Sequence, residues 1–220
     1  PAGLALIQVD SRGNNQITVV PGSNDCLSPA DVQACEQWFT PGSILLTQLE
    51  IPMPTVIAGL ELAKSRDLTC ILNPAPYTPI PAKALAATDI ITPNQGEATA
   101  LTGIDSKSPA DLEQGLRSLF NQGPHAAIVT LGQDGAMLVT KEGKRHLPSF
   151  AVQAVDTVGA GDAFNGALAA ALARRRSLDS AVRLASAAGA LATTKRGAQE
   201  SLPGKSEVEA LAGLQFDQRA

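Results

Sequence analysis

Two short runs rich in apolar and β-forming residues, 4–9 with Gln8 as its one polar position and 16–20, predict strands. Ser11-Arg-Gly-Asn-Asn15 lies between them and predicts a turn, so the sequence opens on a β-hairpin. Pro21-Gly-Ser-Asn24 ends it. Ser28-Pro-Ala-Asp31 supplies an N-cap and a proline at the first helical position, which predicts a helix to about Trp38. Pro41-Gly42 breaks the chain. Short apolar runs then alternate with helical segments. The pattern predicts strands at 43–47, 68–72, 89–91 and 126–131. It predicts helices at 55–65 and 81–86, another starting at Pro93-Asn94, and one from the Ser108 N-cap to near Gly123. Gly132-Gln-Asp-Gly135 turns the chain back into a strand at 136–139, and 144–148 adds an edge strand. Residues 150–155 read as a further strand end. Helices follow at 163–173, 177–194 and about 207–214. Strand–helix alternation from residue 43 to 128 implies a parallel sheet with right-handed crossovers and helices on both faces. The first hairpin stands outside that pattern.

Composition narrows the classes. At 220 residues the chain can bury one sizeable core. Apolar residues make up 44% and charged residues 17%, which excludes a disordered chain. Aromatics are only 3%, so the core must be built from Ala, Leu, Val and Ile, and base-stacking single-strand binding is disfavoured. The net charge is −4 and Arg174-Arg-Arg176 is the only basic run. That excludes a basic nucleic-acid surface and leaves room for a small anion held by local donors. Cys26, Cys35 and Cys70 form no C-x-x-C or Cys/His cluster, so a reducing cytoplasm is expected, without a disulfide framework or zinc site. His125 and His146 sit at strand edges, where structural or surface roles are expected. No apolar run is long enough to span a membrane, and no signal peptide is visible.

The polar residues collect where strands end, which is where open α/β sheets bind ligands. Glu50 and Asn73 follow two strands, Asn94 and Glu97 a third, Thr130 to Gly135 a fourth, and Asp156 to Asp162 the last. In Thr157-Val-Gly-Ala-Gly-Asp162 a glycine-rich turn opens a helix. Free N–H groups and the helix dipole make such a turn an anion site suited to phosphate. Asp162 in the first helical turn could meet a hydroxyl beside a phosphoryl group; it could also simply cap the helix. Asn94 and Glu97 share a helix face, where they could orient a hydrated Mg²⁺ or form a cap. Thr130-Leu-Gly-Gln-Asp-Gly135 could approach a nucleotide by its backbone or be only a hairpin.

Taken in order, Asn94-x-x-Glu97, Val129-Thr-Leu-Gly-x-x-Gly135 and Asp156-Thr-Val-Gly-Ala-Gly-Asp162, continued by Phe164-Asn-Gly166, resemble the ribokinase-like (phosphofructokinase-B) family of sugar and nucleoside kinases. Val20-Pro-Gly-Ser-Asn24, Gln48-Leu-Glu50, Asn73-Pro-Ala-Pro76 and Lys195-Arg-Gly-Ala-Gln199 resemble its ribokinase branch. The resemblance runs through essentially the whole sequence. It implies a three-layer, doubly wound, mostly parallel α/β fold, with a partial β lid over 1–22 and an ATP-binding domain over 23–220. It implies transfer of phosphate from ATP to a sugar hydroxyl, D-ribose first, with another sugar or a nucleoside as the alternative acceptor. A non-catalytic nucleotide-binding fragment is the alternative of another class. The family's Gly-Gly sugar motif and first sheet strands would lie ahead of Pro1. By resemblance Asp162 is the catalytic base, with Gly159, Ala160 and Gly161 as the anion hole. Asn94, Thr130, Leu131, Gly132, Gln133, Asp134, Gly135 and Ser186 are expected at ATP, Glu97 at Mg²⁺ through water, and Glu50 at the sugar. Asp156, Val158, Ala192, Lys195, Gly197 and Ser201 are expected around a monovalent cation, usually K⁺. The lid hairpin implies a homodimer. Neither a nucleic-acid nor a membrane partner is expected.

Overall fold

The computed structural model describes residues 1–9, 15–105 and 108–217, with backbone only at 7–9 and 15–17. Strands β1 (Leu4–Val9) and β2 (Asn15–Val20) pair antiparallel as a separate two-stranded sheet. The turn expected between them falls mostly outside the described residues. The main sheet has six strands: β3 (Ile44–Thr47), β4 (Thr69–Leu72), β5 (Ile90–Ile91), β6 (Ala126–Thr130), β7 (Ala136–Thr140) and β8 (Lys144–Leu147). They lie in sequence order, β3 to β6 parallel and β7 and β8 antiparallel.

The helices follow from the same signals that the sequence displays. In α1 (Pro29–Ala34) the Ser28 hydroxyl accepts from the Asp31 N–H, and in α5 (Pro109–Leu119) Ser108 does the same for Asp111. Helix α1 buries no residue, and it stops at Cys35, giving way to a 3₁₀ turn over Glu36–Trp38 in place of one continuous helix. Between the parallel strands run α2 (Met53–Ser65), α3 (Ala82–Ala86), α4 (Gln95–Thr102) and α5. After β8 come α6 (Ala160–Ala173), α7 (Leu178–Ala192) and α8 (Lys205–Ala212).

Alternation along the strands assigns the two faces. Ile71, Ile90, Ala126, Ile128, Ala136 and Leu138 pack with α6, α7 and α8. Leu72, Ile91, Ala127, Val129, Met137 and Val139 point the other way, toward α2, α3, α4 and α5. Strands in sequence order place their connecting helices on one face, so the C-terminal helices cover the other. This is the expected three-layer α/β arrangement. The α6–α7 interface is built of small residues, including Ala163, Ala171, Ala181, Ala185 and Ala188, which lets two helices approach closely without aromatic filling.

One expected strand is absent. Residues 150–155 form no strand. Pro148 follows β8 and the segment leaves the sheet. Its far end is held instead by the Thr193 carbonyl at the end of α7, which accepts from the Val155 and Asp156 N–H groups at 2.7 and 3.1 Å. That anchor brings the glycine turn to the C-terminal end of α7.

Candidate active site

Two clusters form at the carboxyl ends of the parallel strands. The first surrounds the start of α6. The helix begins at Ala160, three residues ahead of the expected start, with Gly159 as N-cap in the left-handed region at φ 78°. A Cβ on Gly159 would lie 3.0 Å from the Ala198 carbonyl oxygen, so both the conformation and the space require glycine. No side chain caps the helix, so Asp162 is not spent as its cap. The Ala160 N–H donates to the Thr157 carbonyl at 3.3 Å, leaving Gly159 and Gly161 as the better-placed amides for an anion. Nothing lies within 4 Å of a Cβ built on Gly161, and the Asp162 side chain is exposed to solvent. A cleft of about 300 Å³ runs from Asp162 along α6 past Gly166 and Ala170 toward Leu202.

Asp156 ties this turn to the loop after α7. Its carboxylate accepts from the Val158 N–H at 3.1 Å and the Gly197 N–H at 3.2 Å. Those two bonds, with the Arg196 charge as a smaller aid, hold its carboxyl below the usual carboxylate range. Ala192 and Lys195 are joined by a backbone bond, and Ser201 is fully buried with its hydroxyl on the Ala198 carbonyl. Of the expected cation residues, Asp156, Val158 and Gly197 are brought together by these bonds, and the ionised Asp156 carboxylate supplies a hard oxygen donor there. No group of three or more His, Cys, Asp or Glu among the described residues could hold a metal ion.

The second cluster joins the ends of β5 and β6. The Thr130 N–H donates to the Pro93 carbonyl, and Asn94 and Thr130 form a parallel bridge. Asn94 and Glu97 make a reciprocal capping box, each side chain accepting the other's N–H at 2.8 Å. After Thr130, a 3₁₀ turn over Gly132–Asp134 is closed by the Leu131 N–H donating to the Gly135 carbonyl. Two partners invisible in the sequence hold this turn. His146 Nε2 donates to the Asp134 carbonyl at 2.6 Å, and Ser149 Oγ donates to the Gln133 carbonyl. Ser186 stands on α7 with its hydroxyl enclosed and unpartnered among the described residues. Glu50 is exposed just beyond β3, and its N–H donates to the Gln48 side chain.

Between the clusters lies a buried polar contact. Thr92 Oγ1 donates to Asn165 Oδ1 at 2.7 Å, and Asn165 Nδ2 donates to the Gly161 carbonyl at 3.0 Å. Asn165 stands in the Phe164-Asn-Gly166 motif, but nothing in the sequence pairs it with Thr92, 73 positions away. The cysteines contribute no chemistry here: Cys26 and Cys35 are exposed and outside both clusters, and burial pushes the Cys70 thiol up to about 11. His125 lies at the opposite, amino end of β6.

Glu97 yields a testable consequence. Burial pushes its carboxyl above the ordinary value of 4.5, only partly opposed by the Asn94 N–H. The folded state then binds the proton more tightly than the unfolded state. Protonation of Glu97 favours folding, and that contribution is lost as pH rises from about 4.5 through the raised value. Glu97→Gln keeps an acceptor for the cap and removes the charge. Its melting temperature relative to the parent chain should therefore climb as pH rises from about 4 to about 7. A difference independent of pH would contradict this.

Residues 1–205 match the family described as pfkB family carbohydrate kinase. The ribokinase of Haemophilus influenzae is 37% identical over 205 residues, covering 93% of this chain and 67% of that protein. The deoxyribokinase of Salmonella typhi is 32% identical over 203 residues, covering 92% of this chain and 66% of that protein. Among solved structures, Arabidopsis thaliana ribokinase complexed with ribose and ATP superposes with a TM-score of 0.86 at 30% identity, over 98% of this chain and 70% of that one. The chain thus spans about two thirds of the length of these relatives.

Proposed function

Because the chain belongs to the pfkB family of carbohydrate kinases, we propose that it transfers the γ-phosphoryl group of ATP to a sugar hydroxyl, with D-ribose as acceptor and D-ribose 5-phosphate and ADP as products. One observation carries the reading: an α6 N-terminus without a side-chain cap, built on Gly159 and Gly161, with exposed Asp162 in its first turn. Asp162 orients the sugar hydroxyl and takes its proton as the oxygen bonds to the γ-phosphorus and the bond to ADP breaks. A carboxylate is a weak base, which suffices where the transition state is loose and the proton moves late. The Gly159 and Gly161 amides, with Ala160 and the helix dipole, stabilise charge on the γ-phosphoryl oxygens.

Asn94 and the turn from Thr130 through Leu131, Gly132, Gln133 and Asp134 to Gly135 hold the nucleotide, and the enclosed Ser186 hydroxyl is the contact for its base. Glu50 holds sugar hydroxyls. Magnesium, when bound, neutralises ATP phosphate charge; Glu97 suits it through water, as a carboxylate whose charge burial leaves under-compensated. Asp156, Val158, Ala192, Lys195, Gly197 and Ser201 would hold K⁺, chiefly by carbonyls, and its charge would support the anion turn. Residues 1–22 serve as a lid piece and dimer contact beside the α/β domain at 23–220. Exposed Leu4, Leu6, Val19 and Val20 favour that role. A cytoplasmic location suits the substrates; among the described residues no helix is long and apolar enough to cross a membrane.

The test is ADP formation with ribose, 2-deoxyribose, other sugars and nucleosides, in K⁺ and in Na⁺. Ribose with K⁺ is expected to give the highest kcat/KM. A preference for 2-deoxyribose or a nucleoside would move the acceptor assignment. No ADP with any acceptor, from folded chain that binds ATP, would overturn the kinase reading.

A further inference from the structure

Among the described residues, the buried polar ones are Thr55, Thr88, Thr92, Asn165 and Ser201. Thr55, Thr88 and Ser201 each give their hydroxyl to a backbone carbonyl. Such bonds simply satisfy a buried group. The Thr92 hydroxyl also reaches a backbone carbonyl, that of Leu72, at 3.5 Å, but its shorter bond, 2.7 Å, goes to Asn165; the two residues, 1% and 6% exposed, meet across the space between β5 and α6. The chain of bonds extends further at both ends. Asn73 Nδ2, just past β4, donates to the Thr92 carbonyl at 2.8 Å. Asn165 Nδ2 donates to the carbonyl of Gly161, in the anion turn itself.

An asparagine inside a helix is a weak helix former, and an apolar pair of similar shape would pack there at little cost. What the polar pair adds is direction. Asn165 can accept from Thr92 and donate to Gly161 only in one orientation, because the carbonyl of Gly161 requires a donor. The bonds therefore fix the rotation of the first α6 turn relative to the ends of β4 and β5. Thr92 is followed directly by Pro93-Asn94, the start of the nucleotide cluster, and Asn73 adjoins the Glu50 loop through the Leu49 N–H bond to the Ala75 carbonyl.

We propose that Asn165, oriented by Thr92, is a positioning residue that registers the Gly159–Asp162 turn against the nucleotide and sugar ends of the sheet. This rests on the reading of Asp162 as the base. Misplacement of reacting groups by about 1 Å can cost on the order of 100-fold in rate. Thr92→Val and Asn165→Leu are therefore expected to lower kcat by about 10- to 100-fold while KM for ATP stays within about threefold. Thr92→Ser restores the hydroxyl and should recover most of kcat. Combining Thr92→Val with Asn165→Leu should cost little more than either alone.

Amide hydrogen exchange at residues 160–163 supplies a readout independent of turnover. Exchange should quicken in Thr92→Val and not in Thr92→Ser. If Asn165→Leu fails to fold, the Thr92→Val and Thr92→Ser pair decides by the same measurements. Unchanged kcat and unchanged exchange in Thr92→Val would overturn the proposal. If the parent chain turns over no acceptor, the kinase reading fails by itself. Exchange then still judges the registration: quickened in Thr92→Val alone upholds it, and equal rates in both variants reject it.

Discussion

Asp162→Ala is expected to lower kcat by about 10²- to 10⁴-fold while leaving ATP affinity nearly unchanged. The size is what removal of a positioned proton acceptor typically costs. The selectivity comes from the local structure. The Asp162 side chain is exposed and caps nothing, so no buried partner is stranded by its loss. What the fold loses is one acid beside a helix N-terminus, worth about 0.3–1 kcal/mol, partly offset because Ala is the better helix former. A purely structural Asp162 would show the reverse: a small fall in melting temperature and an unchanged rate. Parallel kcat, calorimetric ATP titration and thermal melting separate the two.

Gly135→Ala should be the most damaging single change to the nucleotide side. Gly135 sits at φ 90° and ψ −130°, a combination closed to residues with a Cβ. An added Cβ would lie 2.1 Å from the Leu147 carbonyl oxygen and 2.6 Å from the Ser149 nitrogen. Both are backbone atoms and cannot swing aside. Either β7 and β8 part, or the turn moves. The turn cannot move alone, because His146 and Ser149 hold its Asp134 and Gln133 carbonyls. Strain of this kind costs roughly 1–3 kcal/mol, equivalent to about 2–12 °C in melting temperature for a chain of this size. ATP affinity should fall at least about tenfold, since about 1.4 kcal/mol of strain felt in binding already does that. Calorimetry on the folded variant checks it; undiminished affinity would remove the turn from the nucleotide site.

Much of this arrangement was legible in the sequence, for local reasons. Ser28 and Ser108 each precede proline and a first-turn Asp, and both cap helices. Alternating short strands and helices gave the parallel run β3 to β6. The Asn94–Glu97 spacing was legible as a capping box, which the structure contains, and its placement beside Thr130 follows from the β5–β6 neighbourhood. What failed depended on distant partners. Residues 150–155 have strand-like alternation, yet their end bonds to the Thr193 carbonyl rather than to a strand. The sequence places the start of α6 three residues late because glycine and alanine carry no clear cap signal. Gly159 becomes intelligible only against Ala198. Thr92, Asn165, His146 and Ser149 act through bonds to elements that no local pattern brings together.

The most direct test of the account follows the transferred group itself. The chain is incubated with ATP labelled in its γ-phosphate, Mg²⁺, K⁺ and D-ribose, and the label is traced by mass spectrometry. Label is expected on the ribose 5-hydroxyl, dependent on Asp162. Folded chain that binds ATP yet transfers no label to ribose, 2-deoxyribose or any other sugar or nucleoside would contradict it.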